Sequence, residues 1–125
     1  MKVVNTIGKK LFQMGGVVAE NDAGDIVGFA SGGKERSGKY IGFEGELYAI
    51  YILKEYQGHG IGRALVTAIA EEIKRMGWTS MLILVLKDNN ACQFYETLGA
   101  KKLDTVDIHI AGKKLFEDVY GLEDI

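Results

Sequence analysis

The spacing of apolar residues changes period several times along this chain, and each change predicts an element. Ile61, Ala64, Leu65, Ala68, Ile69, Ile73 and Met76 recur at helical spacing and predict a long amphipathic helix. Arg63, Thr67, Glu71, Lys74 and Arg75 fill its polar side, and Glu71 and Arg75 stand at a favourable i,i+4 separation. Gly77 is placed to end it. Ala91, Phe94, Tyr95 and Leu98 make a second helical stripe, entered through Asp88-Asn89-Asn90 and stopped by Gly99. Val4, Ile7 and Leu11 give Met1–Gln13 a weaker helical face.

Other segments read as strands. Gly16–Glu20 and Ile26–Ser31 flank an Asn21–Asp25 turn and predict a hairpin. Glu46–Lys54, rich in Tyr, Ile and Leu, predicts a central strand. Met81–Leu86 is continuously apolar, as expected of a strand buried on both faces. Lys101–Ile110 and Lys113–Tyr120 predict a last hairpin around Ala111-Gly112. The order is β-β-β-α-β-α-β-β. A strand–helix–strand unit from Glu46 to Leu86 implies two parallel strands with a right-handed crossover. The rest of the sheet should be antiparallel. The expected fold is a single α/β (α+β) domain over residues 1–125, a mixed, mostly antiparallel sheet with flanking helices.

Composition narrows the function classes. A net charge of -2, with Lys and Arg dispersed, argues against a nucleic-acid partner. Cys92 stands alone, so no internal disulfide can form. Met1–Gln13 holds three lysines and lacks the apolar core of a secretory signal, and no apolar run reaches membrane-spanning length. The expectation is a cytoplasmic domain without a membrane partner. Seventeen glycines and no proline mean that turns rely on glycine's access to positive φ. Ser31–Gly45 reads as a loose glycine-rich connection in which Lys34, Glu35 and Arg36 are solvated charges.

The chemistry concentrates in Gln57-Gly58-His59-Gly60-Ile61-Gly62, between the central strand and the long helix. The first N–H groups of a helix lack internal partners, and its dipole is positive there. Glycines strip side chains from that end and leave a cradle suited to a phosphate or pyrophosphate. A tight turn without a ligand is the plain alternative. A dinucleotide fingerprint would want a third glycine where Arg63 stands, and no P-loop lysine run exists.

The turn does match Q-x-x-G-x-G/A, and in this it resembles the acetyl-coenzyme A motif of the GNAT family of N-acetyltransferases. Glu46-Leu47-Tyr48-Ala49-Ile50-Tyr51-Ile52 is similar to that family's fourth strand. Asn90-x-x-x-Phe94-Tyr95-Glu96-x-Leu98-Gly99-Ala100 resembles its later segment. The resemblance covers roughly Val17 to Tyr120. It implies a central β-α-β acetyl-CoA-binding unit and direct transfer of an acetyl group to a primary amine of a small molecule or protein.

Carried over by position, the resemblance gives the pyrophosphate to Gln57, Gly58, Gly60 and Gly62, with backbone N–H groups of His59, Ile61 and Arg63. Arg63 is equally well read as a solvent-facing helix residue. Ile50, Tyr51 and Ile52 would pair their backbone with the pantetheine arm, as with an added strand. Asn90 matches a pantetheine contact and equally reads as an N-cap with Gln93 completing a capping box. Tyr95 matches the general acid beside the coenzyme's sulfur, and Phe94 reads as core. Glu46 is the candidate general base and Glu44 its competitor, because alternation would put both on one strand face. A solvated acid at a strand edge is the plain alternative for either. Cys92 and Trp78 read as packing residues, and His59 and His109 stand too isolated for a metal site.

The chain departs from the family pattern at its start. The family places a strand and most of two helices before the Gly16–Glu20 strand, and Met1–Gln13 matches only the tail of the second helix. The acceptor half therefore reads as incomplete, a reading that admits an acetyl-CoA-binding module without catalysis. A bare sheet edge would favour a homodimer.

Overall fold

A computed structural model describes residues 2–5, 16–87 and 89–125. One mixed sheet carries β1 (Lys2–Asn5), β2 (Gly16–Glu20), β3 (Ile26–Lys34), β4 (Gly45–Ile52), β5 (Met81–Leu86), β6 (Lys101–Ile110) and β7 (Lys113–Leu122) in the spatial order β1-β2-β3-β4-β5-β7-β6. Only β4 and β5 pair in parallel among these strands; every other pair is antiparallel. Helix α1 (Ile61–Arg75) connects the parallel pair, and the short α2 (Ala91–Thr97) follows β5. This is the mixed α+β architecture expected from the periodicity.

Lys2–Asn5 corrects the expected N-terminal helix. It is a strand, paired antiparallel from Lys2 opposite Glu20 to Asn5 opposite Val17, so the outer edge of β2 is not bare. The remainder of the segment read as helix, residues 6–13, lies outside the described residues.

Helix α1 packs through Ile61, Leu65, Val66, Ile69 and Ile73. Their neighbours include Val17, Ala19, Val27 and Ala30 of the β2–β3 hairpin and Met81, Ile83 and Val85 of β5. Met76, expected on this stripe, is half-exposed, because the helix ends at Arg75 and Gly77 turns the chain away at φ 91°. The expected Glu71–Arg75 pair is replaced by Arg75–Glu72 and Lys74–Glu71 pairs one residue closer. In β5, Met81, Leu82, Ile83 and Val85 are buried, whereas Leu84 and Leu86 are partly exposed at the end that β4 leaves uncovered.

The segment read as a loose connection from Ser31 begins instead as strand, since β3 runs on to Lys34. Glycine is required there by packing. A Cβ on Gly32 would lie 2.7 Å from both the Glu46 carbonyl oxygen and Ile69 Cγ2. The glycine therefore lets α1 lie close against the sheet.

The pairing of β3 with β4 is irregular at one point. Ser31 faces Ala49 and Gly32 faces Leu47, which leaves Tyr48 as the extra residue of a β-bulge. Alternation resets there: Leu47 before it and Ile50 and Ile52 after it all pack into the core. Gly45 and Leu47 face α1, so Glu46 between them points to the opposite side of the sheet.

Candidate functional site

The parallel pairing of β4 and β5 runs only from Gly45 opposite Met81 to Leu47 opposite Ile83. β4 continues to Ile52 and β5 to Leu86 with no further pairing between them. The strands thus form a fork whose apex lies at Leu47–Tyr48. Beyond it, the β4 edge that faces β5 carries backbone groups without a sheet partner, while β3 still pairs the other edge through Ala49–Ile52.

A groove of about 800 Å³ fills the fork. It is lined by Ile50, Tyr51 and Ile52 on β4, by Gln57, Gly58, Gly60, Gly62 and Arg63 at the glycine turn, and by Asn89, Asn90, Ala91, Phe94 and Tyr95 around α2. The glycine turn and the start of α2 are far apart in sequence, and the fold brings them to one cavity. Of the residues expected at the site, His59, Ile61 and Glu46 do not line it. His59 is exposed, and the Ile61 side chain is core.

The turn is built for backbone. Gly58 and Gly60 adopt φ 80° and 82°, in the left-handed region that side-chain-bearing residues avoid, and the space around both is open. Gly60 precedes α1 and provides no side-chain cap. Its carbonyl accepts the first helical hydrogen bond, from the Ala64 N–H at 3.2 Å. The amides from Gly58 to Arg63 donate to no described group. The turn thus presents a row of amide donors at the positive end of a 15-residue helix. The Gln57 side chain ties the turn to β4 by donating to the Ile52 carbonyl at 3.1 Å.

On the α2 side, the expected cap at Asn90 is absent: Asn90 has helical φ/ψ and makes no side-chain cap hydrogen bond. Asn89 takes that part by accepting from the Ala91 N–H at 2.8 Å, and Asn90 lines the groove. Asp88 lies outside the described residues. Phe94, read as core, packs against the core and also lines the groove, with its ring 3.2 Å from where a Gly62 Cβ would be. Glycine at position 62 leaves room for that contact. Helical spacing could not reveal this, because a groove wall and a core face share the same period.

Tyr95 is buried, 4% exposed, with its ring tilted against Phe94 at 5.3 Å between centroids. Burial, with a smaller contribution from neighbouring Cys92, pushes its phenol above the ordinary 10. Its hydroxyl donates to no described residue. α2 is held against β7 by the Tyr120 hydroxyl, which donates to Glu96 at 2.9 Å.

Glu46 sits elsewhere. It is 5% exposed, which corrects the plain expectation of a solvated edge acid. Oε1 accepts from the Arg36 backbone N–H at 3.1 Å and Oε2 from the Arg36 guanidinium at 2.8 Å. Glu44 precedes the strand and is exposed, with its backbone N–H on Ser80 Oγ.

The groove suits the extended, phosphate-bearing molecule that the turn suggested. Amide donors without partners among the described residues lie at one end, strand backbone that β5 leaves unpaired along one wall, and a buried phenol opposite.

The comparisons with known proteins agree. The sequence model of the acetyltransferase (GNAT) domain matches residues 7–99, and the chain belongs to the GNAT family. It is 39% identical over 108 residues to the N-acetyltransferase YuaI of Bacillus subtilis strain 168, across 86% of this chain and 62% of YuaI. It is 32% identical over 96 residues to an acetyltransferase of Pectobacterium atrosepticum, across 76% of this chain and 62% of the relative. Its fold matches YncA of Salmonella typhimurium, solved with its cofactor acetyl-CoA, with TM-score 0.74 and 24% identity over 95% of this chain and 70% of YncA. The chain spans about three fifths of the length of the curated relatives it matches. No helix among the described residues is long and apolar enough to cross a membrane.

Proposed function

We propose that the protein is an N-acetyltransferase that binds acetyl-CoA in the β4–β5 fork and transfers its acetyl group directly to a primary amine of a small molecule or a protein. The carrying observation is the groove itself, where Gly58, Gly60, Gly62 and Arg63, whose amides donate to no described group, the β4 edge beyond Leu47 and Tyr95 converge. The acetyl-CoA bound by YncA supports the same donor.

When bound, acetyl-CoA supplies an activated acyl thioester. The glycine-turn amides would hold its pyrophosphate, with Arg63 beside them. The backbone of Ile50, Tyr51 and Ile52 would pair with the pantetheine amides, and the Asn90 side chain would add a contact from the other wall. Backbone N–H groups of β4 would polarise the thioester carbonyl. Tyr95 holds its proton at neutral pH, since burial raises its phenol, and would give it to the departing sulfur. Fixing both reactants in one groove supplies much of the remaining rate.

Isothermal calorimetry with acetyl-CoA, followed by thiol release over a panel of amines and amino-terminal peptides, tests the reading. Saturable binding together with amine-dependent thiol release is expected. Absence of binding overturns it. Tight binding without thiol release would mark an acetyl-CoA-binding module.

A further inference from the structure

We propose that Glu46 is a positioning residue, whose carboxylate clasps Arg36 and so fixes the β3–β4 connection and the Tyr48 bulge as one wall of the acceptor side of the fork. This rests on the acetyltransfer reading for the site's purpose, although the clasp itself does not.

Both oxygens of Glu46 are engaged by one residue, ten positions earlier, through its backbone and its guanidinium. The Glu46 side chain is 7% exposed, and that of Arg36 is 58% exposed. The acid is therefore shielded while the cation spans from it to solvent. The guanidinium also lies over the Tyr48 ring, 4.1 Å from its centroid. The Tyr48 hydroxyl reaches back to donate to the Lys34 carbonyl at 2.5 Å. A ring of contacts thus joins Lys34, Arg36, Glu46 and Tyr48.

The connection is tied off on either side of this ring. The Glu35 carboxylate accepts from the Ser37 N–H at 2.8 Å, the Ser37 hydroxyl at 2.5 Å and the Gly38 N–H at 2.7 Å. The Glu35 N–H donates to the Glu44 carbonyl at 2.8 Å. Ser80 accepts from the Glu44 N–H and donates to the Gly42 carbonyl. Of the charges expected to be solvated, Glu35 and Arg36 are structural, whereas Lys34 is exposed and contributes only its carbonyl.

Position gives the clasp its purpose. Tyr48 follows Leu47, the last β4 residue paired with β5, so the bulge stands at the fork's apex. Glu46 points away from α1, and the groove opens toward the glycine turn at the start of α1 and toward α2. An amine attacking a thioester held in the fork has the opposite face as its approach. A general base needs an oxygen within reach of the amine's proton. Both Glu46 oxygens are held by Arg36, and Glu46 does not line the groove.

The test compares Glu46→Gln, Arg36→Ala, Arg36→Lys and the Glu46→Gln/Arg36→Ala double variant in the full chain, with circular dichroism melting to establish that each folds. Amide hydrogen exchange over residues 35–45 reads the clasp without any substrate. Exchange at position 36 should rise about tenfold in Glu46→Gln and in Arg36→Ala, as expected for a lost charge-assisted hydrogen bond. Arg36→Lys should recover part of the protection. Acceptor KM should rise more than kcat falls, equally in the two singles and no further in the double, while the acetyl-CoA Kd holds. The acidic limb of the pH–rate profile should persist in Glu46→Gln. Loss of that limb in Glu46→Gln but not in Arg36→Ala would make Glu46 the base and overturn the proposal. Unchanged exchange in both singles would overturn it as well. A wild-type protein that binds no acetyl-CoA defeats the acetyltransfer reading and with it the acceptor role, and the exchange data still decide the clasp.

Discussion

At one end of the fork, residues 57–63 present backbone: two left-handed glycines, a third against Phe94 and, from residue 58 on, a row of amides that donate to no described group. At the other end, residues 34–48 are held by ionised and hydroxyl-bearing side chains that satisfy one another. The first region exposes its donors, and the second consumes them. Exposed backbone donors suit a ligand of fixed shape, whose phosphates are the same in every turnover. A clasped loop gives a wall whose shape depends on a few side chains, which suits the variable partner of a reaction.

The largest way to break the comparison is at Tyr95, the side chain proposed as the proton donor of the donor end. Tyr95→Phe should lower turnover about a hundredfold, the lower range for general acid catalysis, with little change in the acetyl-CoA Kd. Thiol release and calorimetry on the same preparation check both. Because burial raises the phenol above 10, wild-type turnover should not lose this proton donor until pH passes that value. Equal turnover in the variant would remove Tyr95 from the mechanism.

Gly60→Val tests the claim that the donor end is made of backbone. A β-branched residue at φ 82° carries about 1–2 kcal/mol of strain. The open space around Gly60 means that no clash confuses the result. Acetyl-CoA affinity should fall about tenfold for the matching displacement of the amides. Calorimetry reads it, and unchanged affinity would indicate that these amides do not contact the ligand.

The two ends also differ in how much of them the sequence displays. The glycine turn was legible because its residues serve a local backbone need, visible as spacing within six positions. The order of elements along the chain from Gly16 onward and the parallel pair followed from period changes for the same reason. Glu46 read as a free acid because its partner lies ten residues away across a hairpin, a pairing that no periodicity carries. Gly32 looked like loop glycine because composition cannot distinguish flexibility from the close approach of Ile69. Tyr48 broke the alternation through a bulge that depends on register with β3. Lys2–Asn5 read as helix because four residues are too few to show a strand period, and only pairing with β2 defines them.

Tyr120→Phe should have a smaller effect. It removes the hydroxyl that ties β7 to Glu96 beside Tyr95, in effect the donor end's counterpart of the Arg36 clasp. The ring packing stays, so unfolding free energy should fall about 1 kcal/mol. Urea denaturation measures this. A loss of turnover beyond what stability explains would mean that α2 is positioned by this bond.

Acid gives the gentlest test, and at the clasped end it acts through Glu35. Burial is the largest single influence on the Glu35 carboxyl and pushes it up, but hydrogen bonds from the Ser37 side chain and from the Ser37 and Gly38 amides, with the Arg36 charge, together hold it below the ordinary 4.5. The unfolded chain therefore takes up this proton first as pH falls. The stability contributed by Glu35 is thus fully present above 4.5 and is lost as pH drops below that value and through the lower native value. Glu35→Gln cannot titrate, so the urea midpoints of wild type and variant should differ most near neutrality and converge in acid. No Glu or Asp among the described residues lines the groove, so acetyl-CoA affinity measured across the same range should not share this convergence. If affinity tracked the Glu35 titration, the two ends of the fork would be mechanically coupled and the division between them would be wrong.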